Sequence, residues 1–351
     1  ATIVFAWLVM ALMVIGAWLI TRRLSADARI SRWQNLLEVI VDTMRKQIRD
    51  IAQRENRAYL VFAGTLFLFI LIANLLQVYT FQVLADLHDQ IPLSQSLDPT
   101  NIQPGYDEGR EVYGTLLQQV DDALNIYESN VSGSNANPGN ADLFFGGDMN
   151  QWLRFANSLK LKLLMRISFT EMADPGLILE LIDQGQFITQ DVAMTQFSDV
   201  QGNRNFFYEI EKQRLGGVNQ VASNSLLRYL QVNNDPRLPV IYETNDAGEF
   251  AGVEQGNFSE DDRSFSELSV PVYTPTTPAY IMTITELEFL QAEALLRFRD
   301  GTGARQHYEA GIEASFVLHG LSGAAELYGP GGAYEYPATG EPETVLKQIM
   351  L

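Results

Sequence analysis

Six consecutive residues, Asn203, Arg204, Asn205, Phe206, Phe207 and Tyr208, carry the side chains best suited to ligand recognition. Aromatic faces stack against C–H surfaces, and planar amide and guanidinium groups meet hydroxyls, so the run reads as a candidate contact for an oligosaccharide or a peptide. Tyr273, within PVYTPTTPAY, is a second candidate ring. The competing reading puts Phe206 and Phe207 in the core while their polar neighbours cap a turn.

Residues suited to bond-breaking chemistry are not arranged for it. Asp121 and Asp122, like Asp261 and Asp262, are adjacent in sequence; on a helix neighbours diverge by about 100° and cannot flank one bond. His88, His307 and His319 lack the i, i+4 spacing of a zinc helix. No serine stands in G-x-S-x-G. The chain has no cysteine, which excludes disulfides, thiolate metal sites, cysteine nucleophiles and an acylated cysteine within it. Asn and Asp residues of the loop at 129–142 could meet calcium, but their spacing fits no EF-hand. A hydrolase is thus left without support, no metal or cofactor is expected, and binding is the favoured reading.

The elements that would position these residues fall into two solvents. Residues 1–77 hold nine basic and five acidic side chains; the remaining 15 basic and 38 acidic residues leave 78–351 at a net −23. Such a body repels phosphate backbones, so nucleic acid is excluded as a partner and neutral or cationic ligands are favoured.

Residues 3–20 and 59–76 are uncharged runs of 18, the length of a membrane-crossing helix. Between them, Trp33, Leu36, Leu37, Ile40, Val41, Met44, Ile48 and Ile51 recur at helical spacing, which predicts an interfacial amphipathic helix over 31–54. All nine basic residues of this segment lie between the two runs. The positive-inside rule therefore places the link in the cytoplasm and the acidic body on the far side.

After Gln77 the apolar spacing predicts helices over 107–127 and 148–170, and a helix, tight turn and helix over 283–299, 300–303 and 304–318. Ala292, Ala294, Ala310 and Ala314 would let that last pair cross closely, as tetratricopeptide-type pairs do. Residues 191–278, rich in Asn, Asp, Gly, Pro and aromatics, are expected to form irregular loop with short strands.

Two resemblances are carried by these residues. TRRLSADARISRWQNLLEVIVDTMRKQIRDIA followed by YLVFAGTLFLFILIANLL resembles the start of subunit a of the F-type ATP synthase, over about residues 3–76. That resemblance implies proton translocation, although the family's essential arginine lies on a later membrane helix outside this stretch. YTFQVLADLHDQIPLSQSL, FFGGDMNQWLRFANSLKLKLLMRIS, NNDPRLPVIYE and ITELEFLQAEALL resemble the SusD/RagB nutrient-binding lipoproteins, over about residues 78–351. This second resemblance implies a helical fold of tetratricopeptide-like pairs at the outer-membrane surface. It also implies non-catalytic binding of oligosaccharides or peptides and delivery to a TonB-dependent, SusC-like transporter, with the body incomplete at both ends.

The reading is therefore mainly α. Two transmembrane helices and an interfacial helix (1–77) precede a SusD-like α body with tetratricopeptide-like pairs and long loops (78–351). The alternatives are a proton-translocating subunit a, or a chimeric join with neither function intact.

Overall fold

The computed structural model describes residues 56–96, 100–130, 139–215, 219–257, 264–337 and 342–350. The expected span at 3–20 and the interfacial helix at 31–54 lie outside them. The described residues from Thr65 onward form one unit, apart from those that precede it.

Helix α1 (Asn56–His88) runs without a break through the expected span at 59–76 and past Gln77. Neither Gly nor Pro occurs between Gly64 and Pro92, so nothing in the backbone interrupts it. Leu71, Leu75, Val78, Gln82 and Ala85 are buried on one face, at alternating four- and three-residue spacing. The buried stripe thus begins ahead of Gln77, in the stretch expected to lie in the membrane. Among the described residues one helix, over Ile70–His88, is long and apolar enough to cross a membrane; its outer face carries Ile70, Leu84 and Leu87 exposed.

Helix α2 (Gly109–Asn130) buries Val112, Leu116, Val120 and Ala123. Helix α3 (Met149–Arg166) is capped by Asp148, whose carboxylate accepts from the N–H groups of Asn150 and Gln151. The spacing at 148–170 predicts an amphipathic helix, but Trp152, Phe155, Ser158, Leu159, Leu161, Leu163, Leu164 and Met165 are buried on nearly every side. The reason is visible in its lysines. Lys160 reaches Asp121 on α2 at 2.6 Å, and Lys162 reaches Glu286 at 2.7 Å, so the polar face is neutralised by neighbouring helices instead of by water. Helix α4 (Pro175–Gln184) follows, with Asp174 as N-cap and Gly185 closing it at φ 61°.

Strands β1 (Val192–Met194) and β4 (Ala279–Met282) pair antiparallel, Val192 opposite Met282. They form the base of a long excursion. Within it lie a short helix α5 (Phe206–Tyr208), α6 (Asn224–Val232), α7 (Leu238–Ile241), and the paired strands β2 (Tyr242–Glu243) and β3 (Val270–Pro271). Ala222, Leu227, Leu230, Leu238 and Tyr242 give the excursion a small core of its own.

The chain returns into α8 (Ile284–Phe298), a turn, and α9 (Ala304–Leu318), the expected helix pair. Asp300, Gly301 and Gly303 adopt positive φ in the turn. Thr283 caps α8 through Glu286 N–H at 3.1 Å, and Asp191 accepts from Ile284 N–H at 2.7 Å, joining the base of the excursion to the helix start. The closest crossing is made by Gly311, where a Cβ would lie 3.1 Å from the Phe289 ring. Gly311→Leu is accordingly expected to overpack the pair and cost about 1–3 kcal/mol, read from the urea midpoint. An unchanged midpoint would mean that the crossing is looser than this contact implies. Two short C-terminal helices, α10 (Ala325–Tyr328) and α11 (Pro342–Met350), end the chain, and α11 packs on α8.

Candidate functional site

The residues singled out at 203–208 divide into a polar group consumed by the fold and an aromatic group left presented. Asn205 is buried, and its carboxamide caps α5 by accepting from the N–H groups of Phe207 and Tyr208 at 2.9 and 3.1 Å. Its Nδ2 donates to the Thr277 carbonyl at 2.8 Å and its backbone N–H to Pro275 at 2.7 Å, which stitches the start of α5 to the strand-like segment carrying Tyr273. Arg204 donates to Asp199 at 2.6 Å and to Glu209 at 3.4 Å, so its charge is compensated. Asn203 donates to Ser198 Oγ at 2.9 Å and holds the preceding turn.

The rings stay outside the core. Phe206 is 57% and Phe207 36% exposed. Phe207 and Tyr208 both meet Tyr273 edge to face, at 5.0 and 6.4 Å between centroids, while Phe206 stands apart against Phe197 at 6.3 Å. The turn-capping half of the competing reading therefore holds for Asn205, and its core-packing half does not hold for Phe206 and Phe207.

Three contributors were not legible beforehand: Phe197, Lys212 and Glu211. Lys212 Nζ sits 5.2 Å over the Tyr273 ring. Glu211 is buried with one carboxylate oxygen lacking a hydrogen-bond partner. Both lie on the π-helical turn Glu209–Arg214 that continues α5, a backbone form often found at functional sites. Burial raises the Tyr273 phenol above its usual range, with the carboxylates of Glu211 and Glu243 adding to it, so the ring stays a neutral hydroxyl at physiological pH.

A buried ion pair ties the excursion to the helix pair. Asp235, its side chain fully buried, accepts from Arg237 at 2.5 Å and from the Tyr334 hydroxyl at 2.7 Å. Arg237 also donates to Ser315 Oγ on α9 at 2.8 Å and lies over the rings of Phe316 and Tyr334. Burial works against ionisation of Asp235, but the hydrogen bonds from Arg237 and Tyr334 outweigh it and hold the carboxyl below the ordinary range.

Among the described residues no three His, Asp or Glu side chains converge as a metal site. His307 Nδ1 lies 2.7 Å from Glu288, and His319 Nδ1 lies 2.7 Å from the Ser315 carbonyl.

Paired helices carrying a strand-anchored excursion define the scaffold. Sequence comparison agrees, since the profile of the SusD-like family described as starch-binding and associating with the outer membrane matches residues 14–351, and the chain belongs to that family. Among solved structures it is similar to a SusD-like protein from Bacteroides thetaiotaomicron, with 25% identity, a TM-score of 0.65, and coverage of 80% of this chain and 64% of that one. It is also similar to a chitin-binding SusD homologue from Flavobacterium johnsoniae, with 22% identity, a TM-score of 0.65, and coverage of 86% and 66%. A third SusD homologue, from Bacteroides uniformis, is covered over 54% of its length.

Over 79 residues the chain is also 57% identical to ATP synthase subunit a from Crocosphaera subtropica, covering 22% of this chain and 34% of that protein. The counterpart from Acaryochloris marina is 55% identical over 78 residues. The chain thus spans about a third of those subunits.

Proposed function

We propose that the body, about residues 78–351, binds oligosaccharide nutrients, or peptides, without turnover and hands them to a TonB-dependent, SusC-like transporter at the outer-membrane surface. The observation that carries this reading is the aromatic group of Phe207, exposed, with Tyr208 and Tyr273 half-buried edge to face around it, while the adjacent polar residues are engaged in holding the turn. Rings in this state lose little rotamer freedom on meeting a sugar face, which favours affinity. The starch-binding description of the family and the chitin-binding relative both point to neutral glycans, in keeping with the body's net charge of −23.

The experiment is retention of the full chain, in detergent, on insoluble starch and chitin. F207A/Y273A is expected to weaken retention by about tenfold or more, at roughly 1 kcal/mol per ring, with a thermal midpoint close to that of the unsubstituted chain. Undiminished retention by the double variant would remove these rings from the site.

A second reading rests on the 57% identity over 79 residues. It makes residues 1–77 a membrane segment of the subunit a kind, inserted through 3–20 and 59–76 in the cytoplasmic membrane, with proton translocation as the activity of the whole subunit. Proton flux in vesicles carrying this chain, abolished by a synthase inhibitor, would favour it over nutrient binding.

A further inference from the structure

Glu211 is a buried carboxylate that the fold leaves without a partner. It is 7% exposed, its Oε2 is enclosed with no hydrogen-bond partner, and no ion pair reaches it among the described residues. Buried polar groups are nearly always hydrogen-bonded, and an unsatisfied charged one is costlier than a neutral one.

The donors closest in sequence are committed elsewhere. Arg204 donates to Asp199 and Glu209, and Arg214 Nε lies 3.8 Å from Glu209. Gln213 donates to the Tyr208 hydroxyl at 3.4 Å. Lys212 has no carboxylate partner among the described residues and rests over the Tyr273 ring.

The carboxylate shares its place with the rings. Phe207 and Tyr208 stand four and three residues before Glu211 on one continuous helical stretch, which puts the three on the same side. Tyr273 packs edge to face on both rings and feels the Glu211 charge, which helps to raise its phenol. The small remaining exposure of Glu211 is the edge at which a ligand donor approaches, and the last torsion of a glutamate side chain is soft enough to exchange its two oxygens there.

Rings and carboxylate together call for two parts of one ligand, an apolar C–H face and a donor beside it. Lys212 adjoins Glu211 and offsets its charge through space without bonding to it, so the ligand has to supply a donor and not a charge. A neutral hydroxyl at the rim of a sugar ring meets both needs.

We propose that Glu211 is a specificity-determining residue of the aromatic site, accepting a hydrogen bond from a hydroxyl of a sugar unit that lies on Phe207 and Tyr273. It thereby selects neutral, hydroxyl-rich ligands over those that offer the rings an apolar face alone, which would leave the carboxylate unsatisfied. The inference rests on the reading of these rings as a glycan site.

Calorimetry on the full chain in detergent tests it, with maltohexaose and chitohexaose as probes and E211Q, E211M and F207A/Y273A as variants. For a sugar that binds the unsubstituted chain, E211Q is expected to weaken affinity by about fivefold and E211M by about tenfold or more, since glutamine keeps a neutral acceptor and methionine keeps none. Neither thermal midpoint should fall below that of the unsubstituted chain, because each change removes an unpaired buried charge. A merely structural role would give the reverse, a lowered midpoint with unchanged affinity. Affinities in E211Q and E211M equal to the unsubstituted chain's, or a lowered midpoint or failure to fold in E211Q, would overturn the inference, while lost binding in F207A/Y273A leaves the ring site standing. Undiminished binding in F207A/Y273A, or no heat from either sugar, removes the ring site and this inference with it.

Discussion

Replacing Asp235 by alanine is expected to lower the stability of the body by about 3–5 kcal/mol, while D235A/R237M costs clearly less. The single change removes the acceptor of both Arg237 and the Tyr334 hydroxyl, leaving a guanidinium between Ser315, Phe316 and Tyr334 with its charge uncompensated. The double change removes that charge as well and puts an unbranched apolar chain against the same rings. The expected order of urea midpoints is therefore unsubstituted, then double, then single. A single variant as stable as the double would mean that water reaches Arg237 and that the pair ties the excursion less firmly than its geometry indicates.

The same pair has a pH signature. The Asp235 carboxyl is held below its value of 3.8 in the unfolded chain, so its stabilisation is fully present above that pH and is lost as pH falls through the lower, folded value. In D235N this acid-limb contribution should vanish. An identical acid limb in D235N would assign it to other carboxylates, such as Asp183, which Arg299 holds below the ordinary range.

Trp152→Ala carries the other large expected effect, about 3–5 kcal/mol. Trp152 is fully buried, meets Phe144, Phe145 and Phe155 edge to face at 5.0 to 5.8 Å, and donates its indole N–H to Asp142 at 2.7 Å. Truncation leaves a cavity among three rings and removes one of the donors that hold the buried Asp142. The N–H groups of Phe144, Phe145 and Gly147 remain on that carboxylate, so the loss of the indole bond by itself is modest. Trp152→Phe should therefore cost roughly 1–3 kcal/mol, from the lost bond and the smaller ring. Far-ultraviolet circular dichroism is the suitable probe, because Trp152 is the single tryptophan after Gln77 and its removal takes away the body's tryptophan fluorescence. Equal midpoints for Trp152→Ala and Trp152→Phe would contradict the packing described.

What was legible beforehand follows from which forces are local. The pair α8 and α9 could be read from apolar spacing and the glycines of its turn, because a helix face and a positive-φ turn are set by neighbours in sequence. The irregular character of the excursion was legible in its composition, but its base was not. The pairing of Val192 with Met282 joins positions far apart, and no spacing rule announces it.

The same blindness hid the roles of acidic residues. Asp235 and Arg237 stand in NNDPRLP without a sign that Tyr334 completes the node, and Asp142 looked like one more polar residue at the end of a loop. At the candidate site the aromatic residue types were the informative signal. Arg204 and Asn205 matched the pattern of a binding loop, yet their partners, Asp199, Glu209 and Thr277, assign them to holding the turn. Lys212 and Glu211 were missed because their positions depend on the π-helical turn after α5, which shifts side-chain directions away from α-helical expectation.

The shift in charge and hydropathy near Gln77 marks a change of solvent preference along the chain, and local composition carries it well. Backbone continuity is a separate property. With no helix breaker between Gly64 and Pro92, α1 passes through that point, and Leu71 and Leu75 join Val78 on one buried face. Their four- and three-residue spacing is present in the sequence, masked by the apolar residues on every side of it.

Binding without turnover is the central claim, and the most direct measurement is calorimetric titration of the full chain with malto- and chito-oligosaccharides, followed by chromatography of the recovered sugars. The account predicts saturable heat with at least one series and oligosaccharides recovered at their original length. Shortened products, or no saturable heat with either series or with peptides, would contradict it.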